Sequence, residues 1–324
     1  MFTTKCSKRL AYLGLSLAAG LVPGVVACGS DGRACNVNAD CGSGVCRSDG
    51  TCAAPTIGSD GGTSGAQQEG AQPEAGGQVP GDGAAGSDAP RTDSGLCQPN
   101  NDGIIERSEV AFVAGAHANF RVAQSVTVDT AGQKQADGSR VWDFSGALAG
   151  DHDMKLETED PKAGWYAADF TGATVAAKIS DTQSLRGVYQ ATNTAILMTG
   201  LVSPSGGSSK TELTLVPPVP VLQFPLQDGS TWSTSPTVSG VTSGVPTTVV
   251  QVYDSTVDAH GTLVTPLGTF RVLRIATNVT GALVYTRQFS FVTECLGTVA
   301  TVTSQNGESA AEFTTAAEIQ RLAP

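Results

Sequence analysis

From Phe120 to Ser304 one pattern dominates the chain. Runs of about five to ten residues rich in Val, Thr, Ile, Phe and Tyr are separated by Gly, Pro, Asp and Asn. "FRVAQSVTVD" (120–129), "TTVVQVYDSTV" (247–257), "GTFRVLRIATNV" (268–279) and "TVATVTS" (298–304) are examples. β-branched and aromatic side chains fit a pleated, half-buried surface, and the intervening residues favour turns. Thr280-Gly281 and Asn306-Gly307 read as hairpin turns, and "DAHGT" around His260 reads as another. Only Ser108–Ala118 and Ala310–Leu322 look helical. Hairpins without intervening helices predict a mainly β domain, an antiparallel sandwich or partly open barrel with one or two short helices. This domain spans 97–324. Pro217, Pro218, Pro220 and Pro225 suggest a crossing between two halves of the sheet, or a sub-division near 216.

The segment before residue 97 is built differently. Residues 1–27 hold Lys5, Lys8 and Arg9, then an apolar run from Leu10 to Ala27 interrupted by Gly14, Gly20, Pro23 and Gly24. This order marks a secretory signal peptide, and the interrupted run is a poor permanent membrane span. Val25-Val26-Ala27-Cys28 resembles the lipobox of bacterial lipoproteins, which implies cleavage before Cys28 and acylation of that residue. Two or three acyl chains would anchor the chain stably, since each buried CH₂ contributes about 0.8 kcal/mol. Gly29 follows in place of Asp, so the resemblance implies the outer membrane.

Residues 28–52 hold Cys35, Cys41, Cys46 and Cys52. Their spacing lacks the paired C-x-x-C of common zinc sites. In an oxidising compartment they predict a small disulfide module. Of three connectivities, Cys35–Cys46 with Cys41–Cys52 is favoured, because interleaved pairs staple a piece too small for a core. Cys97 and Cys295 remain and are predicted to bond to each other. Residues 53–96 contain eleven Gly, no aromatic residue, and six acids against one Arg. That composition predicts a disordered linker, with a coil end-to-end distance of roughly 35–40 Å. Loss of residues 1–27 moves the formal charge from −11 to −14, which argues against nucleic acid as a partner.

The layout resembles a group of myxobacterial cell-envelope lipoproteins. The matching stretches are Val25–Cys28, "ADCGSGVC" (39–46) and "CQPNNDGIIERSEV" (97–110). "FPLQDGSTW" (224–232) and "VDAHGTLVTPLGTFRVLRI" (257–275) are similar to stretches of secreted bacterial β-domains, some of which resemble the half-barrel of periplasmic lipid carriers. The resemblance implies a lipid-anchored envelope protein and supplies no activity.

Chemistry-bearing patterns are sparse. Gln98–Glu109 fits a calcium loop of EF-hand type with Gly103 at the central turn. Its ligands would be Gln98, Asn100, Asp102, the Ile104 carbonyl, Glu106 and Glu109, with the usual first Asp replaced by Gln98. The alternative is a turn at Asn101-Asp102-Gly103. Asp151, His152, Asp153, Glu157, Glu159 and Asp160 form an acidic run, read as a solvated loop before a metal site. No G-x-S-x-G elbow, H-E-x-x-H pair, P-loop or dinucleotide fingerprint occurs, and His117, His152 and His260 stand apart in sequence. Trp142, Trp165-Tyr166 and Trp232 are read first as core anchors. The expectation is a non-catalytic binding or structural domain with an envelope or extracellular partner. A carrier of a hydrophobic ligand in a half-barrel cavity is the alternative, and a hydrolase with an unrecognised site is the second.

Overall fold

The computed structural model describes residues 97–324, except Leu283. The signal peptide, Cys28, the module of Cys35, Cys41, Cys46 and Cys52, and the linker 53–96 lie outside the described residues. Fifteen strands follow one another: β1 (His117–Thr127), β2 (Gln133–Lys134), β3 (Arg140–Asp143), β4 (His152–Glu159), β5 (Val175–Lys178), β6 (Arg186–Ala191), β7 (Ala195–Val202), β8 (Glu212–Gln223), β9 (Thr231–Thr234), β10 (Thr237–Thr242), β11 (Val245–Val264), β12 (Thr269–Gly281), β13 (Val284–Thr293), β14 (Gly297–Ser304) and β15 (Thr315–Ala323).

Twelve of them close an antiparallel barrel in the order β4, β1, β15, β14, β13, β12, β11, β10, β8, β7, β6, β5 and back to β4. The mainly β expectation holds, and the strand order closes on itself. Closure is uneven. β10 joins β11 over six residue pairs, whereas β4 joins β5 only at Thr158↔Ala177 and Glu159↔Ala176. β2, β3 and β9 are additions, β3 running parallel to β11.

Both walls contribute buried apolar side chains that pack together. Tyr253, Val279 and Val284 pack with Met198, Leu213, Leu215, Val219 and Val238. At one end the segment after Cys97 crosses the barrel and contributes Ile105 and Val110, which pack with Ile196, Leu222, Val257, Leu273, Ile275 and Val292. Short bridges Ile105↔Leu226 and Val110↔Cys295 hold this strap. The predicted Cys97–Cys295 disulfide is present, with Cα atoms 5.4 Å apart, inside the range such a bond requires.

The outer faces are also covered. Phe289 and Phe291 alternate with Gln288 and Ser290 on β13, so they face the other way. They meet Trp142 of β3 and Phe144 and Phe313 from flanking loops at centroid distances of 5.1–5.4 Å. On the opposite wall, Tyr166 and Phe170 pack over Ala176, Val188 and Val202, with Trp165 against them.

Four expectations need correction. Neither helix forms. Ser108–Ala118 contains only the end of a 3-10 turn at Arg107–Glu109, because Val110 is drawn into a bridge with Cys295 and the chain then extends into β1. Ala310–Leu322 supplies β15, which sits between β1 and β14 and is buried from Ala316 to Ala323, so tertiary context overrides helix propensity. The sub-division near 216 falls inside β8, which pairs on both sides. Its Pro217 and Pro218 occupy an irregularity in the β7 pairing, between Thr214↔Gly200 and Val219↔Met198, where no ladder donor is required. The "DAHGT" turn is the interior of β11. A bulge between Val257 and Ala259 accounts for the Asp, and a close crossing accounts for the Gly: a Cβ on Gly261 would lie 1.9 Å from the Arg140 carbonyl oxygen. Thr280-Gly281 is not the turn itself: both residues belong to β12, where Gly281 pairs with Val284. Asn306-Gly307 does turn, and leads into the long loop before β15.

Candidate functional site

The strap leaves an open cleft of about 490 Å³ at its end of the barrel. One wall is the turn Asn101-Asp102-Gly103. The others come from Asp137 and Ser139 in the β2–β3 turn, Asp228 before β9, His260–Thr262 of β11, Arg271–Leu273 of β12, and Glu294 after β13. Four carboxylates therefore face one cleft with one imidazole and one guanidinium.

Local structure fixes each group. Glu294 is nearly buried and accepts the Asn101 backbone N–H at both oxygens, 3.1 and 3.0 Å. His260 Nδ1 lies 3.3 Å from Asp228 Oδ2. The Ser139 hydroxyl donates to Asp137 at 2.7 Å and its backbone N–H at 3.0 Å. These two bonds, the hydroxyl first, hold the Asp137 carboxyl below its ordinary value. The hydroxyl thus bonds to the Asp137 carboxylate, while His260 is paired with Asp228.

The expected calcium loop is only partly in this cleft, and the side chains of Asn100, Asp102 and Glu109 hydrogen-bond within the loop. Asn100 Oδ1 accepts the Asp102 N–H and Asp102 Oδ1 accepts the Ile104 N–H. Glu109 accepts from Asn100 Nδ2 and from the Glu106 N–H, closing a capping box. Gln98 and Asn100 are exposed. Among the described residues no group of three or more His, Cys, Asp or Glu converges on a metal position. The loop's Asn101-Asp102-Gly103 turn lines the cleft.

The acidic run from His152 to Glu159 is a strand, β4, and not a loop, with Asp151 and Asp160 just outside its ends. Five members are ion-paired: Asp151 with buried Arg321, His152 with Asp181, Asp153 with Arg121, Glu157 with Lys155, and Glu159 with Arg186; Asp160 instead accepts the Lys162 backbone N–H. His117, His152 and His260 keep separate neighbours and form no joint site. His117 stands opposite Glu157 on β4. Each indole donates to a backbone carbonyl: Trp142 to Thr130 at 2.9 Å, Trp165 to Ser203 at 3.0 Å, and Trp232 to Pro220 at 2.8 Å. The three tryptophans are anchors, as their scattered positions suggested.

Asp137, Asp228, Arg271 and Glu294 had no sequence signal, since only barrel closure gathers them. The fold and the site define a closed antiparallel β-barrel domain with a polar, acid-rich cleft at its strapped end. No family model matches the chain, and neither a curated protein nor a solved structure matches it significantly.

Proposed function

We propose that this chain is a cell-envelope lipoprotein, anchored through Cys28, whose barrel is a non-catalytic binding or structural module. The carrying observation is the apolar packing between the walls: Tyr253, Val279, Met198 and Leu215 share one buried cluster, while a polar cleft opens at the strapped end. A carrier of a hydrophobic ligand needs an enclosed apolar space. The cleft offers ionic and hydrogen-bonding groups instead, which suits recognition of a polar partner surface.

The mature protein extracted from its host membrane should release no stoichiometric apolar molecule on denaturation, apart from the adduct on Cys28. One lipid per chain would overturn the reading in favour of a carrier. A photo-crosslinker at Thr262, in the cleft, should join a discrete envelope partner, and one at Thr248 should not. Equal labelling from both positions would remove the cleft from the proposal. Cys28→Ser should move the protein to soluble fractions or leave its signal uncleaved. An unmodified Cys28 in the wild-type mature N-terminus would end the lipoprotein reading.

A further inference from the structure

The weak join in the barrel lies between β4 and β5. From His152 to Glu157, β4 is bonded to β1 on one edge but has no ladder partner on the other. The gap is bridged by the end of β5 and the following turn. Glu318, on β15 and 3 % exposed, accepts from Ser180 Oγ at 2.8 Å and from the backbone N–H groups of Asp181 and Thr182 at 3.2 and 3.4 Å. Asp181 is held at 2.7 Å by Lys178 Nζ and at 2.7 Å by His152 Nε2.

Glu318 belongs to a polar row. Cross-strand pairing sets Ser255, Thr277, Gln288, Thr303, Glu318 and Gln124 side by side over six adjacent strands. They share the inward face of Tyr253 and Val279, by the two-residue period of strands.

His152 has an acceptor on each ring nitrogen, the Gly150 carbonyl at 3.0 Å and the Asp181 carboxylate. Only the doubly protonated ring can donate to both. We propose that residues 179–184 form a pH-sensitive latch over the β4–β5 seam, closed by the His152 imidazolium on Asp181 and loosened when that proton leaves. The charged groups around the imidazole are Asp181 and Lys178 on the latch side and Asp151 before β4. Glu318 lies beneath on β15, and the facing residue of β1 is uncharged Val122.

The sign follows from the partners. The Gly150 carbonyl, then Asp181, raise His152 above its ordinary 6.5, so its contribution is whole below that value and fades as pH rises through the folded one. Burial pushes Asp181 up, but Lys178 and His152 outweigh it and hold it below 3.8, so its contribution is present above that value and is lost as pH falls through the folded one. The latch is tightest between these limits.

Hydrogen exchange of the mature chain, corrected for intrinsic rates, tests this. Opening of residues 180–183 should rise several-fold, up to about tenfold, between about pH 5.5 and pH 8.5. His152→Gln should open to the high-pH level throughout and lose the pH dependence. Glu318→Gln should open more at every pH and keep it. Opening that is independent of pH in the wild type, or unchanged pH dependence in His152→Gln, would overturn the latch. An NMR titration of the wild-type ring must also give a midpoint above 6.5, and one at or below it would equally overturn the proposal.

Discussion

Arg274 carries a charge beneath the outer aromatic pad. It is 2 % exposed and forms paired bonds to Asp258 at 2.9 and 2.8 Å and to Glu312 at 3.0 and 2.7 Å. A fifth bond reaches the Thr130 carbonyl, and the guanidinium lies 4.2 Å from the centre of the Phe289 ring. Burial pushes its pKa down, but Glu312 and Asp258 more than offset that. Arg321 contrasts with it. It has one carboxylate, Asp151, an unpaired Nε, and a pKa lowered by burial. Arg274→Met should destabilise the fold by about 3–5 kcal/mol in urea titration, because Asp258 and Glu312 lose a shared buried partner. Glu312→Gln keeps the Asp258 pair and should cost less. At Gly261 the obstacle is space. Gly261→Ala would drive a methyl into the Arg140 carbonyl and should cost about 1–3 kcal/mol by the same measurement.

Among elements, strands whose side chains alternate were legible, and those that break alternation were not. β12 and β13 follow from "GTFRVLRIATNV" and "VYTRQFSFVT" because each has one face against the interior and one against the outer pad. β11 was cut short because its bulge and its glycine mimic a turn. β15 was misread because both faces are buried and its Ala, Glu and Leu residues carry no period of two. β8 shows how prolines survive in a paired strand. Beyond its irregularity, the Pro220 carbonyl still takes the Trp232 indole. Trp232→Phe keeps the ring and removes that donor, and should cost about 1 kcal/mol in thermal or urea unfolding. The candidate site was legible only at Asn101–Gly103, where a turn signal is local. Asp137, Asp228, His260 and Glu294 come from four separate segments, and only the closed topology makes them neighbours.

At the scale of the whole molecule, the strap and the disulfide complete what the strand ladder leaves open. Cys97 and Cys295 are 198 residues apart in sequence, so their bond restricts most of the unfolded domain. The double variant Cys97→Ser, Cys295→Ser should lose about 2–5 kcal/mol in calorimetry, with the barrel retained. The same bond has a mechanical meaning. Tension applied at residue 97 is not delivered first to β1. It passes through Cys295 to the junction of β13 and β14, midway along the wall from β11 to β1, where neighbouring ladders share the load. With the bond intact a pulled molecule should yield in one high-force event. Once it is reduced, the strap should detach earlier as a separate low-force step, taking Ile105 and Val110 out of the barrel end before any wall strand gives way.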